Sequence, residues 1–366
     1  MSVNERSVRV LSPTHIGDGD ELRQGFDFVV HQGRTYRLNE DAVLLEKSAQ
    51  LRPDGRGHYP SPGKLLTEQD YQRTAFFRYV LRGYPRSRKT DARVKSFIKD
   101  VYDRPYIPGS SLKGAFRTAL AWTGWDEIKP HLDRNAIGRS PSWAGQPLEK
   151  KLFGKDPNHD LLRALHVSDL FGPQKAGEGL LLVNAQVLTP RSKSSPVELE
   201  ALAGDQELTG SLTIDDSLFS QWAENELHFG NRRHWLDELF TRCQAHSQAR
   251  IAQLVTWYEN ADDGHAVANF YRQLSDAGLN ENQALMQLGW GSGWDGKTFW
   301  THLQKDPELF EYLVGKFRLH RAGPKSPPRN PGDAFPRSKR AVMVIKDGVP
   351  KPAAPFGWVL VERKPS

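Results

Sequence analysis

A glycine-rich stretch at residues 289–298, "GWGSGWDGKT", holds the residues whose types and spacing are best suited to chemistry. From Gly291 to Thr298 it fits the P-loop expression G-x-x-x-x-G-K-[ST]. In a P-loop the backbone N–H groups surround the phosphates, the lysine contacts them, and the Ser/Thr hydroxyl holds Mg²⁺. The stretch therefore raises the hypothesis of ATP or GTP hydrolysis.

The residues around this stretch do not complete a nucleotide-hydrolysing domain. A P-loop normally opens a doubly wound sheet, with a buried strand before it and a helix after it. "ALMQLGW" (284–290) predicts a short strand and "FWTHLQKDPELFEYL" (299–313) predicts a helix. After them come a proline-rich loop at 321–340 and no run of alternating strands and helices. We therefore interpret the P-loop match as a coincidence.

The same stretch is still suited to binding the phosphates of a polymer. Glycines let the backbone approach an oxyanion, while a lysine and hydroxyls supply charge and hydrogen-bond donors. The candidate phosphate ligands are Gly291, Ser292, Gly293 and Lys297. Trp290 and Trp294 offer planar faces on which unpaired bases can stack. The alternative is that both tryptophans belong to the core and the glycines only make room for them.

Positive charge is concentrated in two segments of the chain. Residues 78–117 contain eleven lysines and arginines against three acidic residues, and residues 316–340 contain eight against one. Because the net charge of the whole chain is only +6, the rest of the chain is net acidic. Two basic segments on an otherwise acidic protein predict a polyanionic partner that touches specific places. The alternative is two solvated basic loops.

Composition excludes several classes of protein. A single cysteine, Cys243, excludes an internal disulfide framework and a cysteine-based zinc site. No apolar run reaches the roughly 18 residues of a membrane span, and the first ten residues lack the apolar core of a signal peptide. The twelve histidines show no HExxH or similar metal-ligand spacing. We expect a folded cytoplasmic protein of two domains, with no membrane partner, no metal and no cofactor.

The elements that must position the candidate residues are short strands and helices in mixed order. Val8 and Val10 alternate with Arg9 in a first strand, and "GFDFVVHQGRTYRLN" (25–39) predicts a hairpin that turns at Gln32–Gly33. Further strands are indicated at 161–170, 179–192 and, as a pair, at 196–204 and 207–215; helical spacing follows from about 216 to 278, and two strands close the chain at 341–348 and 356–363. This order predicts an α+β architecture.

The stretch "YIPGSSLKGAFRTALAW" (106–122) predicts a helix that begins next to a loop. Pro108–Gly109 interrupts the preceding chain, and Ser110 or Ser111 is the candidate N-cap. Lys113 and Arg117 are four residues apart on one face, near the helix start, where backbone N–H groups point outward. We expect phosphate contacts from Ser110, Ser111, Lys113 and Arg117. An ion pair within the domain is the alternative for the arginine.

Four segments, in this order, resemble the RAMP superfamily of CRISPR type III effector complexes. They are "SPTHIGDG" (12–19), "YIPGSSLKGAFRTAL" (106–120), "KLFG" (151–154) followed by "LHVSDL" (165–170), and "GWGSGWDGKT". Within the superfamily, the chain length, the "IPGSSLKGAFRTAL" wording and the ending "FPRSKR…PFGWVLVE" are most similar to the fifth subunit of the type III-A Csm complex.

The resemblance implies two ferredoxin-like (RRM-related) RAMP domains with helical insertions. We expect the first at residues 1–215, with an insertion around 42–105, and the second at 216–366, where a helical block precedes the glycine-rich stretch. The resemblance also implies a non-catalytic subunit that caps the backbone filament, holds the 3′ region of the CRISPR RNA (crRNA) and influences its maturation. The expected partners are the crRNA, the adjacent backbone RAMP subunit, other subunits of the complex and, as a further candidate, a trimming nuclease.

The resemblance extends the candidate RNA contacts to two more places. Unpaired RNA shows phosphates and 2′-hydroxyls, which a glycine loop and a basic helix can grip without reading sequence. The added candidates are His15 and Gly17 in the first loop and Arg337, Lys339 and Arg340 in the second basic segment. Asp169, in "HVSDL", is expected to be structural and to bind a loop backbone.

The first loop also supports an enzymatic alternative. In some RAMP proteins a loop histidine acts as general base, or a loop aspartate as metal ligand, in RNA cleavage. The candidates here are His15, Asp18 and Asp20. The resemblance assigns target cleavage to the repeated backbone subunit, so we expect His15 to pack in the loop or contact RNA. Two alternatives stay open: a RAMP endoribonuclease that cuts precursor crRNA or target RNA, and a backbone or cap subunit of another type III complex.

Overall fold

The computed structural model describes residues 4–87, 92–131, 134–138, 140–189, 192–193, 196–229, 232–320, 329–333 and 335–364. Its strands are β1 (Asn4–Val10), β2 (Gly17–Arg23), β3 (Phe28–His31), β4 (Arg34–Leu38), β5 (Phe77–Arg82), β6 (Arg93–Phe97), β7 (Tyr106–Ile107), β8 (Leu165–Val167), β9 (Leu170–Phe171), β10 (Leu180–Thr189), β11 (Ser192–Lys193), β12 (Val197–Leu202), β13 (Glu207–Ile214), β14 (Gln283–Gln287), β15 (Lys339–Lys346), β16 (Val349–Ala354) and β17 (Trp358–Arg363). Its helices are α1 (Glu40–Glu46), α2 (Gly109–Ile128), α3 (Gln146–Phe153), α4 (Gln221–Leu227), α5 (Arg233–Asp237), α6 (Leu239–Glu259), α7 (His265–Ser275), α8 (Trp300–Leu303) and α9 (Pro307–Lys316). The predicted mixture of helices and strands is confirmed.

The first of two sheets joins the two ends of the described chain. Its strand order is β14-β17-β1-β13-β9-β7, with β8 also paired to β13. The first strand, β1, is antiparallel to both β13 and β17. Val8 and Val10 are fully buried, as the alternation with Arg9 predicted. The sheet therefore brings residues near position 10 next to residues near position 358.

Helices α2 and α6 cover this sheet. Leu112 and Phe116 of α2 are buried one turn apart, and Cys243 of α6 lies in the same core cluster. Gly124 of α2 allows a close approach, because a Cβ there would overlap the indole of Trp235. The last turns of α2 are thereby packed closely against α5.

The second sheet has the order β2-β6-β12-β10-β5-β4-β3, with β15 paired to β10 and β16 paired to β15. The predicted β3–β4 hairpin is confirmed. Gln32 and Gly33 both have positive φ, 46° and 73°, which is the backbone of a type I′ turn. Because β10 pairs with β12, β5 and β15, it forms the centre of this sheet.

Three sequence predictions about elements were wrong. Strands β12 and β13 do not pair, because the chain crosses from one sheet to the other between them, and the turn bonds to Val10 of β1. The chain closes with three strands, since β16 follows β15 in a hairpin. The helix predicted after the glycine-rich stretch is split in two, because the Asp306 side chain caps a new helix that starts at Pro307.

The helical block predicted from about 216 to 278 is confirmed as α4, α5, α6 and α7. Each sheet draws strands from both sides of residue 215, such as β1 with β17 and β10 with β15. The division of the chain at that residue stays a prediction. No helix in the described part of the chain is both long and apolar enough to cross a membrane.

Candidate nucleic-acid interface

The first loop and the glycine-rich stretch, distant in sequence, form one loop pair (residues 12–20 with 289–298). The Trp290 N–H donates to the His15 carbonyl oxygen at 2.8 Å. Gly289 has a φ of 68°, and a Cβ there would overlap that same carbonyl oxygen. A side chain at this position is therefore disfavoured both by backbone conformation and by space.

His15 lies inside the loop pair and is not exposed on its surface. The residue is 2% exposed, and its Nδ1–H donates to the Glu200 backbone oxygen at 2.6 Å. Its ring contacts Phe97 and Trp290 edge to face, each at 6.2 Å between centroids. Burial lowers the pKa of His15, so the imidazole is held neutral. Of the two roles predicted for His15, packing in the loop is the one seen here.

Asp18 and Asp20 are exposed at the start of β2, away from the buried face of the histidine. The Ser96 hydroxyl donates to Asp18 Oδ2 at 2.6 Å, and the Asp20 N–H donates to Asp18 Oδ1 at 2.9 Å. Among the described residues, no three His, Cys, Asp or Glu side chains are grouped so that they could hold a metal ion. His15 is thus enclosed in the loop, whereas Asp18 and Asp20 lie on its surface.

A buried carboxylate that the sequence analysis did not single out fixes the first loop from below. Glu200 of β12 is 1% exposed. Its Oε1 accepts from the Tyr79 hydroxyl at 2.8 Å, and its Oε2 accepts from the Phe97 N–H at 2.9 Å and from Lys99 Nζ at 2.7 Å. The buried carboxylate is thus paired with Lys99 and hydrogen-bonded by two further donors, which offsets the cost of removing it from water. A glutamate at a strand position of "VELEAL" is the one signal for this role in the sequence, and it does not distinguish a buried position from an exposed one.

The glycine-rich stretch uses its hydroxyls internally. The Ser292 hydroxyl donates to the Gly289 oxygen at 2.9 Å, and the Thr298 hydroxyl donates to the Trp294 oxygen at 3.1 Å. Gly291 and Gly293 adopt positive φ values of 95° and 76°. The hydroxyl that would hold Mg²⁺ in a P-loop is thus bonded within the loop, and the next helix begins only at Trp300.

The tryptophans of this stretch pack against the protein, as in the alternative interpretation. The Trp290 ring meets Phe356 edge to face at 5.4 Å, and the Arg340 guanidinium carbon lies 4.7 Å from the Trp290 ring centroid. Trp294 meets Phe335 in the same way at 5.0 Å. Burial lowers the pKa of Arg340, whose charge is held against the indole.

Lys339, a predicted RNA contact, supports the loop from inside. Its ammonium pairs with the carboxylate of Asp295, and the two side chains are 9% and 5% exposed. Burial lowers the pKa of Lys339, while Asp295 opposes that change. An RNA phosphate could reach Lys339 only by opening this pair. The structure therefore corrects its role to that of a support for the loop, and Ser292 is likewise enclosed.

Other predicted contacts of this region lie on the surface. Lys297 and Arg337 are exposed, as is Gly17 at the start of β2. Residues 321–328 and 334 of the second basic segment lie outside the described residues. The accessible cations of the loop pair region are thus available to an external phosphate.

The start of α2 differs from its prediction in one respect. The helix begins at Gly109 with Pro108 at the N-cap, so Ser110 and Ser111 belong to the first turn and neither is the N-cap. The Gly109 N–H donates to Asp169 Oδ1 at 2.8 Å, which is the backbone-binding role expected for this aspartate. The cap thus comes from a residue 60 positions away.

Lys113 and Arg117 line one groove but differ in their partners. Arg117 pairs with Asp160 at 2.7 Å and with Glu149 at 3.0 Å, and its guanidinium carbon lies 4.1 Å from the Phe153 ring centroid. The ion-pair alternative is therefore seen for Arg117. Lys113 is half-buried, and burial lowers its pKa. Its ammonium makes no hydrogen bond or ion pair to any residue that the structure describes.

Comparisons with known proteins agree with this arrangement. The family model "RAMP superfamily" matches residues 7–294. A Methanocaldococcus jannaschii protein named "CRISPR system Cms protein Csm5" is 25% identical over 97% of this chain and 88% of its own. A Streptococcus thermophilus protein of the same name is 29% identical over 44% of this chain and 50% of its own.

Two solved structures share the fold over nearly the whole chain. One is a chain in the cryo-EM structure of a Csm–crRNA–target RNA ternary complex of a type III-A CRISPR-Cas system, with a TM-score of 0.65 and 21% identity over 99% of this chain and all of that chain. The other is the crystal structure of T. onnurineus Csm5, with a TM-score of 0.61 and 22% identity over 97% and 99% of the two chains. The family model covers most of the sequence, including the loop pair up to residue 294, and the chain belongs to the RAMP superfamily.

Proposed function

We propose that this chain is a non-catalytic RNA-binding subunit of a type III-A CRISPR effector complex, which caps the backbone filament, holds the 3′ region of the crRNA and influences its maturation. The observation that carries the proposal is the similarity to the M. jannaschii Csm5 protein over 97% of this chain. That similarity extends over nearly the whole chain.

The geometry of the candidate interface supports RNA binding without catalysis. The loop pair is held together by internal hydrogen bonds and presents the exposed Lys297, while Arg337 is exposed in the second basic segment. The start of α2 presents Lys113, whose ammonium no described carboxylate neutralises. We propose these three cations, with the backbone of Gly17, Gly291 and Gly293 and with Ser110, Ser111 and Arg340, as the contacts to RNA phosphates. Arg117 contributes by shaping the groove beside Lys113.

The strand order of the first sheet supports one of the two expected ferredoxin-like domains. In the first sheet, β1, α2, β8 with β9, β13, α6 and β17 follow one another as strand, helix, strand, strand, helix and strand, with β1 between β17 and β13. This is the βαββαβ order of a ferredoxin-like domain. We propose that the two domains correspond to residues 1–215 and 216–366. The first and last strands, one from each domain, complete one sheet.

The partners follow from the same reasoning. The cryo-EM complex that contains the similar chain also contains crRNA and target RNA. For this chain we propose the crRNA, the adjacent backbone RAMP subunit and other Csm subunits as partners, with a trimming nuclease as a further one, and a cytoplasmic location. No cofactor is required for this role.

The test is to purify the complex from its native operon, with and without this chain, and to combine native mass spectrometry with sequencing of the copurified RNA. We expect one copy per complex and a guide whose 3′ end is protected only when the chain is present. Several copies per guide would indicate a backbone subunit instead. RNA cleavage by the purified chain, lost on Asp18→Asn or Asp20→Asn, would restore the endoribonuclease alternative.

A further inference from the structure

A groove of about 460 Å³ lies between the start of α2, helix α3 and residues 154–163. Its volume falls in the range of roughly 300–1,000 Å³ that is usual for ligand sites. Its charged lining contains three carboxylates, Arg117, which pairs with two of them, and three further cations. The carboxylates are Glu149, Asp156 and Asp160, and the further cations are Lys113, Lys150 and Arg163. What the groove binds depends on which of these charges are already neutralised.

The three carboxylates are all engaged within the protein. Glu149 and Asp160 hold Arg117 between them. Asp160 Oδ1 also accepts from the Leu162 N–H at 2.9 Å and so caps the next turn. Asp156 Oδ1 accepts from the Asn158 N–H at 2.9 Å and from the His159 ring at 2.7 Å. The negative charge of the groove is thus committed to Arg117 and to two turn caps.

The three cations have no such partners. Lys150 and Arg163 are exposed, and Lys113 is half-buried. Arg163 donates only to the backbone oxygen of Asn158, at 3.0 Å. Within the described ranges, none of the three side chains forms an ion pair. The charge of the groove that is left uncompensated is therefore positive, which favours an anionic ligand.

We propose that this groove binds a segment of single-stranded RNA, with Lys113, Lys150 and Arg163 contacting its phosphates and one base stacking on the Arg117 guanidinium. This inference rests on the proposed function and extends it to two residues, Lys150 and Arg163, that no sequence motif marks.

Two features favour RNA over an acidic protein segment. Arg117 lies over Phe153, with its guanidinium carbon 4.1 Å from the ring centroid, is fixed by its two carboxylate partners, and lines the groove. A guanidinium plane fixed in this way is a platform on which an unpaired base can stack. The carboxylates also keep free lone pairs, which can accept from the ribose hydroxyls and base amino groups of RNA, whereas the side chains of an acidic peptide are acceptors only and leave its backbone N–H groups as the donors.

The test measures the affinity of the purified full chain for a short labelled single-stranded RNA by fluorescence anisotropy over a series of salt concentrations. The variant is the double substitution Lys150→Gln with Arg163→Gln. Both side chains are exposed, so the free energy of unfolding should be unchanged. We expect the affinity to fall about tenfold and the salt dependence of log K to lose roughly 1.4 units of slope, 0.7 per phosphate contact. The matched control is Lys175→Gln, an exposed lysine outside the groove, which should bind like wild type.

The outcomes separate this inference from the proposed function. If Lys297→Gln weakens RNA binding while the double substitution does not, the groove is not part of the RNA path, and the proposed function stands. If the wild-type chain binds no RNA, both fail together. A polyglutamate peptide that binds the wild type but not the double variant, with RNA binding unchanged, would assign the groove to a protein partner and overturn the proposal.

Discussion

The loop pair and the groove beside α2 both contain cations that the sequence analysis singled out, but these cations have different roles in the two regions. At the loop pair, two cations of β15 are engaged: Lys339 is enclosed with Asp295, and Arg340 lies against Trp290. In the groove, the carboxylates bind Arg117 and cap two turns, while Lys113, Lys150 and Arg163 form no ion pair with any described residue. The cations at the loop pair stabilise its structure, whereas those in the groove remain available to a ligand.

The comparison teaches that basic residues near a motif are not equivalent as binding candidates. A buried, paired lysine contributes to binding only by fixing the backbone that the ligand meets. An unpaired and accessible lysine contributes its charge directly. Substitutions in the two regions should therefore change different quantities, stability in the loop pair and affinity in the groove.

The largest effect is expected from Lys339→Met. This change leaves the Asp295 carboxylate buried without its cation, and removing one partner of a buried pair costs about 3 kcal/mol or more. Urea denaturation of the purified chain should show the lower free energy of unfolding. Adding Asp295→Asn should recover part of the loss, whereas Lys297→Met, at an exposed lysine, should cost almost nothing. Equal losses in Lys339→Met and Lys297→Met would contradict the distinction between the two regions.

A somewhat smaller effect is expected from Gly289→Ala. The added Cβ would meet the His15 carbonyl oxygen at a position with a φ of 68°, so backbone strain and overlap together should cost about 2–3 kcal/mol. The two loops should separate, and RNA affinity should fall along with stability. Gly278→Ala is the control, because nothing lies within 4 Å of a Cβ there. An unchanged melting temperature in Gly289→Ala would show that the loops are not held together as described.

Acid should destabilise the protein through a histidine buried between α6 and α2. His246 of α6 is buried beside Trp122, and burial lowers its pKa from 6.5 to about 3. Between these values the unfolded chain binds a proton that the folded chain does not, so stability falls as pH drops below 6.5. At about pH 5 the loss from this group is about 2 kcal/mol. Urea denaturation at neutral and acid pH should show this slope reduced in His246→Gln but unchanged in His265→Gln, at an exposed histidine.

The smallest change in free energy is expected from Lys113→Gln, and it should appear in binding alone. Loss of one phosphate contact should weaken single-stranded RNA binding about fivefold and lower the salt slope by about 0.7. The free energy of unfolding should stay at the wild-type value, because no ion pair is broken. Arg117→Gln is the comparison. It breaks two partly exposed ion pairs, each worth about 1 kcal/mol or less, so its main effect should be a lower free energy of unfolding. A destabilised Lys113→Gln protein would remove the contrast between these neighbours.

Features set by neighbouring residues could be predicted from the sequence. The β3–β4 hairpin depends on Gln32–Gly33, and the buried face of α2 depends on apolar residues one turn apart, so both were found. The start of α2 was placed too late, because its cap is the side chain of Asp169, which lies 60 residues away. Strands β12 and β13 are adjacent in sequence but belong to different sheets, and local alternation carries no information on that choice.

The candidate site shows the same limit. The motifs drew attention to the first loop, the glycine-rich stretch and the helix start, but they could not predict which of their residues are buried. Lys339 and Lys113 look alike in sequence, and only the fold places Asp295 beside one of them. Glu200 fixes His15 through its backbone oxygen, a contact across 185 residues that no spacing rule predicts.

The pairing of β1 with β17 also sets the order of events during synthesis. The Ser12 hydroxyl accepts from the Trp358 N–H across 346 residues, and Gly357 bonds to Pro13 in the same loop. Contacts of such long sequence separation form late in folding. A nascent polypeptide still lacking its last strand cannot hold the first loop as the finished fold does. The first loop can therefore take its final form only after β17 is available to pair with β1.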